Sequence, residues 1–260
     1  MTTTLTAAIE GIGLWAPGIP SWEAFVGLHR GGPAPEGAST RPAPALLPAN
    51  ERRRAPDTVL AALQAAQAAC EAAGRDPASL PSVFASTYGE LAITDHLCAT
   101  LARAPGEVSP TRFHNSVHNA AAGYWTIGTG AMEPATAISA GDGTFAMGLM
   151  EALAQLEAGA PAVLLAAYDG AAAGPLADVL DSTGLLGIAL VLARPGGSAR
   201  LKLRLESGAG AAPDPAPADV APGNAMAPAL ALLEAIAARR DGAVLAAGGG
   251  HCLRIGLAHG

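Results

Sequence analysis

The stretch Ala137-Ile-Ser-Ala-Gly-Asp-Gly-Thr-Phe-Ala-Met-Gly148 decides how the chain is interpreted. Residues 136–139 have the length and composition of a short strand, and Gly141-Asp-Gly143 is a flexible turn. Good helix formers then fill residues 144–157. A strand, a glycine turn and a helix in this order predict an α/β fold, with a functional group placed at the turn.

The sequence before this stretch predicts alternating strands and helices. Residues 4–13 alternate and then run apolar, which predicts a strand, and Ser21 is a suitable N-cap for a helix that ends near Leu28. Residues 57–73 are strong helix formers, and Gly74 is placed to end them. The other predicted elements are a loop at 31–48, a strand at 82–86, a helix at 95–101 and a small-residue helix up to Gly123.

The sequence after this stretch predicts further strands and a break in the chain. The apolar runs 161–168 and 187–193 have strand length, and the strictly alternating run 201–206 predicts a half-exposed strand. A helix is predicted at 227–239 and a final strand at 243–258, interrupted by Gly248-Gly-Gly250. We therefore predict a main domain over residues 1–206, a proline-rich linker over 207–222 and a short second unit over 223–260.

The composition excludes several classes of partner. Half of the 260 residues are hydrophobic and 14% are charged, with a net charge of −7 and a single lysine, Lys202. Nucleic acids and anionic membranes need clustered basic charge, so we expect neither as a partner. No apolar run reaches the roughly 18 residues of a membrane span, and the N-terminus lacks a signal peptide, so we expect a cytoplasmic protein. The mean hydropathy of +0.32 indicates apolar surface for a partner to cover.

Several segments in order carry a family resemblance. They are Gly11-Ile-Gly-Leu-Trp-Ala-Pro-Gly18, Trp22-Glu-Ala-Phe-Val-Gly-Leu28, Asn119-Ala-Ala-Ala-Gly123 and the stretch that ends at Gly148. Together they resemble the N-terminal half of β-ketoacyl synthases. The resemblance implies a thiolase-like fold with a complete N-terminal repeat and a truncated C-terminal repeat.

The catalytic residues of that family are not matched. An active synthase has a cysteine at the end of this strand, where a helix N-terminus stabilises its thiolate. The matching position is Ala140, and Asp142 stands where a small or hydroxyl residue is usual; its carboxylate should cap the helix and would repel a thiolate. Asn224 stands at a family histidine, and the histidine-bearing segment between the repeats is absent. The resemblance therefore implies no catalytic residue.

Within the family, the chain resembles the chain-length-factor type found with aryl polyene and xanthomonadin-like pigment clusters. This implies a non-catalytic subunit that pairs with an active synthase, or failing that with another copy of itself. Acyl carrier protein is a further candidate partner, and neither a cofactor nor a metal is expected. The family's edge strand predicts an interface at Thr136, Ala137, Ile138 and Ser139.

One alternative is an enzyme in its own right, an acyl-thioester decarboxylase or hydrolase that uses Asp142 with His114 or His251. His114 and His118 have helical metal-ligand spacing, but no third ligand is evident, so a hydrogen-bonding role is favoured. The residues predicted to line an acyl pocket are Ala140, Gly141, Asp142, Phe145, His114, Asn115 and His251. Of the two interpretations of Phe145, its position on the helix favours a core residue over a pocket residue.

Overall fold

Eight strands form one mixed sheet in this computed structural model, which describes residues 4–194, 200–208 and 220–259. In chain order the strands are β1 (Leu5–Trp15), β2 (Ser82–Ala85), β3 (Ala135–Ile138), β4 (Ala162–Gly170), β5 (Leu185–Ala193), β6 (Arg200–Ser207), β7 (Gly242–Gly248) and β8 (His251–Ala258). Their order across the sheet is β3-β2-β4-β5-β1-β6-β8-β7. Strands β2, β3 and β4 are mutually parallel, and the other pairs are antiparallel.

Helices cover the sheet on both faces. In chain order they are α1 (Trp22–His29), α2 (Ala49–Arg54), α3 (Asp57–Ala73), α4 (Leu91–Arg103), α5 (Pro110–Asn115), α6 (Ala120–Thr129), α7 (Thr144–Glu157) and α8 (Leu230–Ala237). Helices α1, α7 and α8 pack into one apolar layer, and α3 and α6 pack into the layer on the opposite face. A Cβ atom at Gly13 would lie 2.0 Å from the carbonyl oxygen of Ala65, so α3 contacts β1 almost backbone to backbone.

The α/β prediction is confirmed, and most predicted elements are present. Helix α3 has the predicted bounds and ends at Gly74 with φ +62°. The Ser21 hydroxyl accepts a hydrogen bond from the amide of Ala24 at 3.2 Å, as expected of the N-cap of α1. Strand β6 alternates between exposed and buried residues along most of its length, as its pattern predicts. These elements have local signals that the tertiary structure does not override.

The predicted final strand is wrong in one respect. Residues 243–258 do not form one interrupted strand but the antiparallel hairpin of β7 and β8. Gly248, Gly249 and Gly250 have φ values of +76°, +58° and +75°, which reverse the chain. Three consecutive residues in this region of φ are readily accommodated only by glycine.

Helices α2, α4 and α8 differ from the prediction, as does α6, which continues to Thr129 instead of ending near Gly123. Helix α2 was not expected; Pro48 precedes it, with Glu51 in its first turn and three arginines in its last. Helix α4 begins at Leu91 rather than at 95, because the buried Leu91 side chain anchors an additional turn. Helix α8 starts at Leu230, since Pro228 confines residues 227–229 to a 3-10 turn.

The predicted linker lies largely outside the described residues, at 209–219. Val220, where the description resumes, is buried, and β8 pairs with β6 in the common sheet. The division into domains stays a prediction. Among the helices that the structure describes, none combines the length and the apolar composition of a membrane span.

Candidate functional site

The C-terminal ends of β2, β3 and β4 meet at one edge of the sheet because these strands are parallel. Ser86 and Thr87 follow β2, Ser139 and Ala140 follow β3, and Asp169 lies near the end of β4. Open α/β sheets bind ligands outside the carboxyl ends of such strands. We call this region the site edge.

Ala140 begins the tight turn between β3 and α7. The Thr144 hydroxyl closes this turn: its Oγ1 accepts a hydrogen bond from the amide of Ala140 at 3.0 Å and donates one to the carbonyl of Gly141 at 2.7 Å. Gly141 has φ +56°, a conformation that favours glycine. The methyl group of Ala140 cannot form an acyl-enzyme, because it carries no nucleophile.

The prediction that Asp142 caps α7 is wrong. A 3-10 turn over Gly141–Gly143 separates strand from helix, so the N-cap is Gly143, which has no side-chain hydrogen bond. Asp142 stands one residue earlier and is exposed. Burial raises the pKa of Tyr88, and the charge of Asp142 adds to this shift.

The β7–β8 turn packs against the Ala140 turn. A Cβ atom at Gly143 would lie 2.5 Å from the carbonyl carbon of Ala247, so only glycine fits there. A Cβ atom at Gly248 would lie 3.7 Å from the carbonyl oxygen of Ala140. The fold thus brings the predicted glycine turn, more than 100 residues further along the chain, to the predicted nucleophile position.

His251 does not complete a catalytic pair. It is exposed, and its Nδ1 lies 3.0 Å from the carbonyl oxygen of Gly249, to which it donates within its own turn. Within the described part of the chain, neither His251 nor His114 forms a hydrogen bond or an ion pair with Asp142. The geometry therefore gives no support to the alternative enzyme.

The remaining predicted pocket residues do not gather at the Ala140 turn. Asn115 is buried. Its Nδ2 donates a hydrogen bond to the carbonyl of Arg54 at 3.3 Å, and its Oδ1 accepts one from the hydroxyl of Tyr124 at 3.1 Å. His114 is exposed on α5, with its ring centre 6.4 Å from that of Tyr124. Phe145 is buried in the apolar layer that contains α7 and α8, as expected of a core residue.

His118 has the predicted hydrogen-bonding role. Its Nε2 lies 2.8 Å from the carbonyl oxygen of Ser86, so this nitrogen carries the proton and donates it.

Among residues 4–194, 200–208 and 220–259, no group of three or more potential ligands is arranged to hold a metal ion.

Asp169 organises the loop after β2, a role that the sequence analysis missed. Its fully buried carboxylate accepts hydrogen bonds from the hydroxyl of Ser86 at 2.8 Å, the amide of Thr87 at 2.9 Å and the amide of Tyr88 at 3.1 Å. Burial raises the pKa of Asp169, and these hydrogen bonds oppose the shift. A carboxyl residue directly after an apolar strand is the signal that could have identified it.

Asn224 ties a later segment to the same network. Its Nδ2 donates to the carbonyls of Asp169 at 3.1 Å and Thr183 at 2.9 Å, and its Oδ1 accepts from the amide of Met226 at 2.9 Å. The residue is 3% exposed. Both ends of its amide are therefore engaged within the protein, and it is not presented to a substrate.

We expect Asn224→Ala to lower the free energy of unfolding by about 3 kcal/mol, because it removes the partner of the buried Asp169 carbonyl, the buried Met226 amide and the partly buried Thr183 carbonyl. Urea denaturation followed by circular dichroism measures the change. Asn119→Ala is the matched control, since Asn119 is exposed and forms no capping hydrogen bond; its effect should stay within about 0.5 kcal/mol. Equal effects of the two changes would contradict this role of Asn224.

A cavity of about 460 Å³ lies beside the site edge, on the Glu90 side of the loop after β2. Its lining includes Thr58, Gly89, Glu90, Gly170 and Leu185, and none of the predicted pocket residues. Burial raises the pKa of Glu90, whose carboxylate accepts a hydrogen bond from Thr58. The sequence analysis did not predict this cavity.

Comparison with known families gives one clear match. The family described as "Beta-ketoacyl synthase, N-terminal domain" matches residues 29–248. This range contains the Ala140 turn, Asp169 and Asn224. No curated protein sequence matches the chain.

Solved structures give the same fold. The chain is similar to one in the structure "Ketosynthase (ApeO) in Complex with its Chain Length Factor (ApeC) from Xenorhabdus doucetiae", with 24% identity and a TM-score of 0.77 over 97% of this chain and 99% of that chain. The structure of the ishigamide ketosynthase/chain length factor has 18% identity and a TM-score of 0.66 over 98% and 99%. A type II PKS acyl-carrier protein complex with its ketosynthase (AntDE:AntF) has 12% identity and a TM-score of 0.71 over 99% and 100%. The predicted thiolase-like fold, with a complete first repeat and a shortened second one, is confirmed.

Proposed function

The chain belongs to the β-ketoacyl synthase family, and we propose that it is a non-catalytic, chain-length-factor-like subunit of that family. In this proposal it pairs with an active ketosynthase in the cytoplasm and acts in type II fatty acid or polyketide chain elongation of the aryl polyene kind. The observation that best supports this proposal is Ala140, which stands at the turn where an active synthase has its nucleophilic cysteine. Without a thiolate, no acyl group can be transferred to this chain at Ala140.

The residues around this turn support a structural role. Asn224 stands at a histidine position of the family. Both ends of its side-chain amide form hydrogen bonds with backbone groups of the chain. Asp142 is exposed, and the histidines suggested as its partners form no hydrogen bond with it in the described part of the chain. The site edge therefore has the family's framework without its acid, base or nucleophile.

An exposed apolar surface beside β3 supports pairing. Strand β3 is at the edge of the sheet, and Ala135 and Ala137 on it are exposed. Ile127 at 80% and Met132 at 96% exposure lie on α6 and on the connection from α6 to β3. Exposed apolar groups next to an open strand edge are typical of a protein interface. We call Ile127, Met132, Ala135 and Ala137 the pairing surface.

The predicted interface residues Thr136 and Ile138 lie on the inner side of β3. Ile138 packs against the core of the chain, with its Cγ2 3.7 Å from where a Cβ of Gly148 would lie, and Thr136 lies 3.4 Å from Nε2 of Gln155 on α7. A lysine at Ile138 would disturb the fold as well as any pairing. Substitutions at Ile127 and Met132 separate the two effects.

The similar solved structures support a ketosynthase as the class of partner. Two of them are named as a ketosynthase with its chain length factor. Pairing through β3 with such a ketosynthase would cover the pairing surface and extend the sheet across the two subunits. A second copy of this chain is the other occupant that the same edge could accept.

Co-expression with a full-length synthase encoded beside the gene tests the proposal. We expect the synthase to co-purify with the tagged chain and the complex to elongate an acyl chain on carrier protein. The chain alone should give no β-ketoacyl product and no acyl adduct in its intact mass, and Ala140→Cys should not restore activity because the histidines are still missing. Product or thioester hydrolysis by the chain alone, or failure to pair, would overturn the proposal.

A further inference from the structure

The cavity beside Glu90 has no role in the site described above. Its volume of about 460 Å³ is within the range of small-molecule binding sites. The first turns of α3 and α4 form two of its walls, and the end of β4 with the start of β5 forms a third. We call it the Glu90 cavity.

The lining of the Glu90 cavity is mostly apolar. Leu91, Ile93 and Leu185 contribute to it, and alanine, proline and glycine residues account for most of the rest. No basic side chain of the described residues is part of this lining. Such a lining favours an uncharged and largely apolar ligand.

Glu90 is the exception in this lining. It is partly buried, and burial raises the pKa of its carboxyl group, because the charged form loses hydration there. Asp57 also lines the cavity, but its carboxylate forms a salt bridge with Arg41 at 2.8 Å. Glu90 therefore brings a carboxyl group into an apolar cavity that supplies no cation to pair with it.

The Glu90 carboxylate can accept a further hydrogen bond. A carboxylate offers about four acceptor positions. The hydroxyl of Thr58 uses one of them, and the amides of Ala92 and Ile93, whose hydrogen bonds lower the pKa of Glu90, use at most two more. An acceptor position is therefore left for a ligand.

A hydroxyl group is the ligand group that suits this carboxyl group best. An ammonium group would lose its hydration in a mostly apolar cavity, where burial disfavours charge. A hydroxyl group donates to the ionised carboxylate and accepts from the protonated carboxyl group, so it forms a hydrogen bond in either state. The Glu90 cavity thus fits an apolar group that carries a hydroxyl.

The position of the cavity connects it to the pairing of the two subunits. Strand β2 lies directly beside the edge strand β3, and the loop after β2 leads to Glu90. The hydroxyl of Ser139, just after β3, donates to the carbonyl of Thr87 in this loop at 2.9 Å. An acyl chain that crosses from a synthase paired through β3 would therefore meet this loop first and the Glu90 cavity next.

We propose that the Glu90 cavity binds the far end of the acyl chain and that Glu90 selects chains with a hydroxyl group at that end. This inference rests on the proposed function, since the paired synthase delivers the chain. A methyl-ended chain would displace water from the Glu90 carboxyl group without replacing its hydrogen bond, which lowers affinity. Glu90 is then a specificity-determining residue and takes no part in the chemistry.

The experiment supplies the purified synthase complex of this chain with competing acyl primers on carrier protein and compares the elongated products by mass spectrometry. Octanoyl and dodecanoyl primers are each given as an equal mixture of the methyl-ended chain and the same chain with a hydroxyl group on its last carbon. For at least one of the two lengths, we expect the hydroxyl-ended product to exceed the methyl-ended product at least about tenfold.

Variants assign this preference to Glu90. Glu90→Leu removes the acceptor and should abolish the preference, whereas Glu90→Gln keeps an acceptor oxygen and should retain most of it. Glu107→Leu is the matched control, because Glu107 is an exposed glutamate outside the cavity; it should leave the product ratio unchanged. The ratio in the unmodified complex tests the inference even if Glu90→Leu does not fold.

Pairing is measured in parallel by light scattering, and circular dichroism verifies the fold of each variant. If the unmodified complex pairs and elongates both forms of both primers equally, the selection by Glu90 is overturned while the proposed function stands. The inference is also wrong if Glu90→Leu folds and keeps the preference. If the complex does not pair or elongates no primer, the proposed function is lost and this inference with it.

Discussion

Replacing Ile127 and Met132 together by aspartate is expected to dissociate the chain from its synthase and to leave the chain itself folded. Both side chains are almost fully exposed, so they contribute little to the fold of the single chain. In a closed apolar interface, each carboxylate would lose its hydration without gaining a partner, at a cost of several kcal/mol. We therefore expect the Kd of the pair to rise at least about 1,000-fold.

Size-exclusion chromatography with light scattering measures this dissociation, and circular dichroism verifies the fold of the variant. Val179→Asp is the matched control, because Val179 is also an exposed apolar residue, at 74%, and lies outside the pairing surface. It should leave the complex intact. If the double variant still pairs with unchanged product lengths, the pairing surface is assigned wrongly.

Asp169→Ala is expected to lower the free energy of unfolding by about 3–5 kcal/mol. The substitution leaves the hydroxyl of Ser86 and the amides of Thr87 and Tyr88 without their buried acceptor. Asp178→Ala is the matched control, because it removes an exposed carboxylate; it should change stability by less than about 0.5 kcal/mol. Urea denaturation of both variants measures the difference. If Asp169→Ala lowers the free energy of unfolding by less than about 1 kcal/mol, the loop after β2 does not depend on Asp169 for its stability.

The pKa of Asp169 gives a second measurement of the same contact. Burial raises this pKa in the folded chain, so the folded state binds the proton more readily than the unfolded state. The contribution of this carboxyl group to stability is therefore fully present below its unfolded pKa of about 3.9 and is lost as the pH rises through the higher folded value. The stability difference between the unmodified chain and Asp169→Ala should narrow as the pH rises from about 4 towards neutrality.

The sequence predicts those parts of the fold whose signals are local. Helix formers and Gly74 predict α3, and alternation predicts β6, because propensity, capping and burial agree there. The hairpin of β7 and β8 was predicted as one strand because hydrophobic periodicity is the same whether or not the chain reverses. Only the φ values of its three glycines distinguish the two outcomes.

The site was predictable where it depends on neighbours in the chain. The Ala140 turn is where the sequence places it, between β3 and α7. Asp169 was missed because its three hydrogen-bond donors are more than 80 residues earlier. His114 and Asn115 were grouped with the turn, although Asn115 instead bonds to residues of α6 and α2. Contacts of this kind follow from topology, which local patterns do not contain.

Because the edge of β3 is open, the stability of this chain in the cell depends on the ratio of the two subunits. A copy of this chain without a synthase keeps a strand edge and the Ile127 and Met132 side chains in contact with water. Copies of this chain in excess over the synthase are then prone to aggregation and proteolysis. Additional synthase binds these copies and shifts the equilibrium towards the complex by mass action. Under the proposed function, balanced synthesis of both polypeptides matters as much for the survival of this chain as its own folding stability.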